Sequence, residues 1–172
     1  MHAVPSIALT GQDFDAEASE GMRPAVASVV IPTYNRLGSL AGLIQSLLLD
    51  PGVGEIVVVV DGSEDGSYQL LLELAAEDAR VIPIYQANAG EGAARQRGLE
   101  SSRYDTVVFL DDDIMPGDGL VSGHLRHHVN GTSLVVLGYM PTVVPRPRRA
   151  GQAPTILYAR NYDCLLYTSR CV

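Results

Sequence analysis

Apolar runs of strand length alternate along this chain with segments of helical period, and that alternation restricts the fold more than any other property. Val26-Ala27-Ser28-Val29-Val30-Ile31-Pro32 reads as a first strand closed by proline. Residues 37–49 then place Leu40, Leu43, Ile44, Leu47 and Leu48 at the spacing of a one-sided buried helix. Glu55-Ile56-Val57-Val58-Val59-Val60 is nearly continuous in apolar character, the pattern of a parallel strand covered on both faces. A helix over residues 68–78 turns Leu70, Leu71, Leu74 and Ala75 inward, and Val81-Ile82-Pro83-Ile84-Tyr85 follows as a strand whose proline suits an edge or a bulge. A helix over residues 91–101 packs through Ala93, Ala94 and Leu99. A buried strand from Thr106 to Leu110, a helix over 118–129 and a fifth strand over 134–139 complete the series. Such a series means an α/β fold with a mainly parallel sheet.

In sheets of that kind, ligands bind beyond the carboxyl ends of the strands. The loops at residues 33–36, 61–63, 88–92 and 111–113 all leave the sheet at that edge, so their polar residues converge by topology alone. The most telling is Asp111-Asp112-Asp113, three consecutive carboxylates where a strand ends. In a partly desolvated crevice they repel one another unless something positive sits among them. A divalent cation is the economical partner, and hard oxygen ligands suit Mg²⁺ or Mn²⁺. The competing reading is a solvated acidic turn.

The other loops carry similar pairs of readings. Asp61-Gly62-Ser63 follows a strand and opens a helix, so its carboxylate could accept from a base N–H or ribose hydroxyls, or simply cap the turn. Asn88-Ala89-Gly90-Glu91-Gly92-Ala93-Ala94-Arg95 imitates a dinucleotide fingerprint, with Asp111 about 20 residues on. Arg95 stands where the third glycine belongs, so the stretch reads instead as a helix start facing phosphate or nucleotide, with Arg95 free for charge pairing. His124 and His128 have the i,i+4 spacing of metal ligands but no accompanying zinc signature, which favours a solvated helix face.

Composition removes several function classes. The chain has 172 residues and 47% hydrophobic content, enough for one domain with a sizeable core, and its net charge of −8 opposes nucleic acid as main partner. All 12 basic residues are arginine, which excludes a lysine Schiff base or a phosphate-loop lysine. Cys164 and Cys171 imply no disulfide framework, no signal peptide is visible, and no apolar run reaches membrane-spanning length, so a cytoplasmic location is the expectation. Residues 1–24 read as a mobile lead-in, with a short strand near Ile7 to Leu9. Asn130-Gly131-Thr132 matches a glycosylation sequon, without meaning in that compartment.

Four stretches, Val29-Val30-Ile31-Pro32-Thr33-Tyr34-Asn35-Arg36, Asp61-Gly62-Ser63-Glu64-Asp65-Gly66, Asn88-Ala89-Gly90 with Ala94-Arg95, and Leu110-Asp111-Asp112-Asp113, stand in the order seen in family 2 glycosyltransferases. The resemblance covers about residues 26–143. It implies the GT-A fold, a Rossmann-like three-layer α/β/α sandwich, incomplete here at its C-terminus, with a UDP- or GDP-linked sugar donor at the strand edge. By that resemblance Pro32, Thr33, Tyr34 and Arg36 cradle base and ribose, with Asp61 reading the base beside Ser63. Asn88, Gly90 and Arg95 lie near the nucleotide. Asp111 faces ribose or a metal-bound water, Asp112 lines the donor site, and Asp113 ligates the Mg²⁺ or Mn²⁺ that bridges the diphosphate. The family transfers sugar with inversion to an acceptor hydroxyl, which a separate carboxylate deprotonates.

Three departures qualify that likeness. Val60 replaces the first acid of the usual Asp-Asp-Gly-Ser pattern, Gln96 replaces the Asn after Ala-Arg, and beyond Asp118 the only carboxylate side chain is Asp163, a weak candidate for the base. The expected organisation is a lead-in over 1–24, a donor-binding domain over 25–143, and a Pro/Arg-rich loop with the start of an acceptor region over 144–172, where residues 155–167 form a strand or helix. The final residues, Cys164 to Val172, resemble translated sequencing adaptor, which suggests a truncated reading frame with a non-native tail. A non-catalytic nucleotide-sugar-binding module is the alternative. A sugar-1-phosphate nucleotidyltransferase is disfavoured because its glycine-rich, basic N-terminal loop is missing.

Overall fold

The computed structural model describes residues 25–129 and 134–138. The lead-in, the sequon, the Pro/Arg-rich loop, residues 155–167, Asp163 and both cysteines lie outside the described residues. Eight elements alternate in order: β1 (Ala27–Thr33), α1 (Leu37–Leu48), β2 (Val53–Asp61), α2 (Ser67–Glu77), β3 (Val81–Gln86), α3 (Glu91–Ser101), β4 (Val107–Phe109) and α4 (Leu120–His128).

The strands form one parallel sheet in the order β3-β2-β1-β4. Successive strands first add on one side of β1, and the chain then crosses back to place β4 on the other. Strand order therefore reverses between β1 and β4, the switch point at which open α/β sheets bind ligands. Strand alternation divides the core into two layers. Val29 and Ile31 of β1, with Ile56, Val58 and Val60 of β2, pack against Leu40, Leu43, Ile44 and Leu47 of α1, Leu71 of α2, and Val121 and Leu125 of α4. Val30, Val57 and Val59 face the other way, against Ala94 of α3. Three layers result, α/β/α. Each fully buried aliphatic side chain contributes about 1.5–3 kcal/mol of transfer free energy, so the central strands carry much of the stability. Pro83 lies in β3, which among the described residues is an edge strand paired only with β2.

Three expectations need correction. In α3 the buried positions are Ala94 and Gly98, while Ala93 and Leu99 are exposed. A Cβ at Gly98 would stand 2.2 Å from Val30 Cγ1, so it is the lack of a side chain that lets this helix close onto β1. Residues 134–138 form no strand, and no strand follows β4 among the described residues. Finally, β4 holds three residues instead of five. Ser28 N–H donates to Thr106 O at 3.0 Å, and Leu110 N–H to Val30 O at 3.0 Å. The next backbone position of β1 facing β4 in this register is Pro32, which has no N–H. The backbone ladder between the two strands stops there, at the switch point.

Candidate functional site

Thr33 and the acidic triplet meet where the ladder between β1 and β4 stops. Thr33 Oγ1 donates to Asp112 Oδ2 at 2.7 Å, linking residues 79 positions apart. Asp112 is largely covered, with its side chain 13% exposed, whereas Asp111 and Asp113 are open at 47% and 59%. Positive charge does sit among these carboxylates, and arginine supplies it. Arg95 reaches Asp111 Oδ1 at 2.7 Å and also Glu91 Oε1 at 2.6 Å. Arg36 lies 3.8 Å from Asp112 Oδ1 and 3.7 Å from Asp113 Oδ2. Four carboxylates thus face two guanidiniums, which leaves two negative charges for a further cation.

Asp61, at the end of β2, is held in a different way. It is 4% exposed. Its Oδ1 accepts from Gln86 Nε2 and from Ala89 N–H, both at 2.8 Å, and its Oδ2 accepts from Gly90 N–H at 2.8 Å. The anion at the start of α3 is therefore Asp61 itself, placed where backbone donors and the helix dipole favour negative charge. Burial pushes its carboxyl group up, but the hydrogen bonds from Gln86, Ala89 and Gly90 outweigh it and hold the pKa below the ordinary value. Three accepted bonds still leave Oδ2 a lone pair for a ligand N–H. The side chain of Asn88 donates to the Asp61 carbonyl at 3.0 Å. Gly62, at φ +78°, passes so close that a Cβ there would stand 2.8 Å from Asn88 Cβ.

The remaining expected residues divide by exposure. Tyr34 and the Arg36 side chain are each more than half exposed at this edge. Pro32 and Ser63 are buried, and Ser63 Oγ already accepts from Asn35 N–H at 2.9 Å. Gly90 takes φ +89° at the head of α3, and a Cβ there would meet open space. His124 and His128 lie on α4. Among the described residues no three His, Cys, Asp or Glu side chains form a cluster able to hold a metal ion on their own. The acidic triplet is thus not an all-protein cage. It does fit the usual arrangement for Mg²⁺, in which one or two carboxylates share the ion with substrate phosphates.

Sequence reasoning passed over several residues that shape this edge. Asp65 Oδ2 accepts from Leu37 N–H at 2.9 Å, and its Oδ1 from Ser67 N–H at 3.0 Å, so one carboxylate takes the first N–H of both α1 and α2. Asn35 Oδ1 accepts from Glu64 N–H at 3.1 Å. At the opposite edge, buried Glu55 accepts from Ser28 Oγ and Arg103 N–H, both at 2.6 Å, and binds the Arg103 guanidinium. Asp50 accepts from Gly52, Val121 and Ser122, anchoring the first turn of α4. Besides their local contacts, Asp50, Glu55 and Asp65 take partners 27 to 72 residues away.

Residues 28–167 match the family model described as glycosyl transferase family 2. Among curated relatives, the uncharacterized glycosyltransferase YfnE of Bacillus subtilis is 33% identical over 114 residues, covering 65% of this chain and 29% of that protein. The undecaprenyl-phosphate 4-deoxy-4-formamido-L-arabinose transferase of Pseudomonas aeruginosa is 43% identical over 95 residues, covering 52% of this chain and 28% of that protein. S. aureus TarS 1-349, solved in complex with UDP, superposes with a TM-score of 0.52 at 25% identity, over 64% of this chain and 38% of that one. The chain therefore spans about a third or less of the length of the curated relatives it matches. Among the described residues, no helix is long and apolar enough to cross a membrane.

Proposed function

The chain belongs to glycosyl transferase family 2, and from that premise we propose that its carboxyl sheet edge binds the nucleotide-sugar donor of an inverting, metal-dependent glycosyltransferase with the GT-A fold. The observation that carries the reading is the Thr33–Asp112 bond across the β1/β4 switch point, which gathers Arg36, Arg95 and the triplet at one edge. Tyr34 and Arg36 flank the base and ribose from one loop, and Asp61 offers its remaining lone pair to a base N–H from the other. Arg95, already at Asp111, is within reach of a diphosphate. The UDP complex of TarS supports a nucleoside diphosphate as the recognised moiety.

Asp113, together with Asp111, would hold Mg²⁺ or Mn²⁺. The chemistry supplied there is neutralisation of the leaving nucleoside diphosphate. The two uncompensated negative charges of this edge match a divalent ion. Inversion further requires a carboxylate that deprotonates the acceptor hydroxyl while the sugar departs. The residues that gather at this edge would act on the donor; Asp163, the weak candidate for the base, lies outside the described residues. Because the chain spans about a third of its relatives, binding without transfer is the reading that competes for this chain by itself.

Titrating the chain with UDP, GDP and TDP, with and without Mn²⁺, tests the proposal. Nucleotide binding is expected to require Mn²⁺, and Asp113→Ala to weaken it by about tenfold or more, the loss usual when a metal site is disturbed. Nucleotide affinity that ignores both Mn²⁺ and Asp113→Ala would reduce the triplet to a structural turn. Release of nucleotide from a donor sugar in the presence of saccharide or lipid acceptors then separates transferase from binding module.

A further inference from the structure

Two residues outside the expected donor contacts tie the donor loops to each other. Asn35 is the single non-glycine residue with positive φ among the described residues, at +52°. Asparagine tolerates this left-handed conformation better than most side chains. Residue 35 is itself exposed, but its polar groups bond across to the loop after β2. Its N–H donates to Ser63 Oγ at 2.9 Å and its Oδ1 accepts from Glu64 N–H at 3.1 Å. Its neighbours Tyr34 and Arg36 are left facing outward. One step further along both loops, Asp65 Oδ2 accepts from Leu37 N–H at 2.9 Å, while its Oδ1 takes the N–H and hydroxyl of Ser67. The loop after β1 is thus fastened to the loop after β2 at three points.

We propose that Asn35 and Asp65 form a latch that sets the spacing between these loops, and so act as positioning residues for Tyr34 and Arg36 on one side of the donor slot and Asp61 on the other. The inference rests on the donor-site reading above. Neither latch residue has to touch the ligand, since the role asked of each is met by its bonds between the two loops. Their contribution is to hold outward-facing groups at a fixed separation before the nucleotide arrives. Preorganisation of this kind is sensitive, because a shift of about 1 Å in a positioning element can cost up to about a hundredfold.

The test uses the full chain with Mn²⁺ and either UDP or GDP as probe, alongside thermal unfolding and amide hydrogen exchange. Asn35→Ala, which strains the left-handed backbone and loses the acceptor, is expected to weaken nucleotide affinity about tenfold. Exchange at the Leu37 and Glu64 amides should accelerate with it. Asn35→Gly keeps the backbone and the N–H to Ser63, and should recover part of that affinity. Asp65→Ala should show the same loss, but with a larger fall in Tm, because the first N–H of each of two helices loses its acceptor. Unchanged affinity in Asn35→Ala with a lowered Tm would overturn the proposal, leaving the contacts a purely structural role. Unchanged exchange at Leu37 and Glu64 would overturn the latch itself. A wild-type chain that binds neither nucleotide would instead overturn the donor reading and with it the positioning role, while the exchange rates would still show whether the latch exists.

Discussion

The carboxylate that ends β2 and the carboxylates that follow β4 share one sheet edge, yet they are stabilised in opposite ways. Asp61 is buried and held by fixed, neutral donors: two backbone N–H groups at the head of α3 and the amide of Gln86. The triplet is mostly open to solvent and is faced by two long, flexible, charged side chains, Arg36 and Arg95. Backbone donors cannot follow a carboxylate that leaves, and a buried N–H without a partner is costly. An exposed arginine gives up its partner to water at little cost, since surface ion pairs contribute about 0–1 kcal/mol. One region is therefore built to keep its geometry and the other to exchange its counter-charges. The proposed donor site would use both, a rigid wall for the base and a replaceable charge set for the ion.

The largest expected effect comes from removing the rigid member. Asp61→Ala strands Ala89 N–H, Gly90 N–H and the Gln86 amide together, and should destabilise the fold by about 3 kcal/mol in urea unfolding. A loss below about 1 kcal/mol would mean that water replaces the carboxylate freely, and the contrast with the triplet would disappear.

Acid probes the same residue more gently. The folded pKa of Asp61 lies below its unfolded value, so its stabilising contribution is complete above that unfolded value, near 3.9, and is lost as pH falls through the folded one. Asp50, Glu55 and Asp65 shift in the same direction, each opposed by burial and carried by hydrogen bonds. Stability should therefore fall below about pH 4. The gap between wild type and Asp61→Asn should narrow over that range, because a protonated Asp61 resembles the amide. A gap that stays constant from about pH 6 to about pH 3 would show that the Asp61 charge adds nothing to the fold.

The rigid half of this comparison was harder to read in the sequence than the exchangeable half. Runs of valine and isoleucine located β1 and β2 because burial on both faces leaves a continuous apolar signature. Three adjacent aspartates draw notice by charge alone. The partners of Asp61 are two backbone amides and one glutamine, and no residue type announces a backbone donor. Asn35 was passed over between Tyr34 and Arg36 because its conformation, not its chemistry, sets its role. Gly98 escaped for the related reason that an absent side chain carries no hydropathy signal, although α3 could not close onto Val30 without it. The length of β4 depended on a pairing partner. Pro32 ends that strand from across the sheet, and nothing within residues 106–110 shows it.

The smallest expected effect tests the exchangeable half. Arg36 lies 3.8 Å and 3.7 Å from its two carboxylates, and its own side chain is 54% exposed. At such distances and exposure, Arg36→Ala should change stability by no more than about 0.5 kcal/mol. Its consequence should show instead in Mn²⁺ titrations without nucleotide. Removing a resident cation takes away a competitor for Asp113, so the free chain should bind Mn²⁺ somewhat more tightly. With UDP or GDP present the sign should reverse, because the same guanidinium is then missing from the nucleotide. Raised salt should shrink the first effect, since exposed charges are screened over about 10 Å at 0.1 M. A stability loss of about 2 kcal/mol in Arg36→Ala, or weaker Mn²⁺ binding without nucleotide, would place Arg36 with Asp61 among the fixed parts of the edge and remove the distinction.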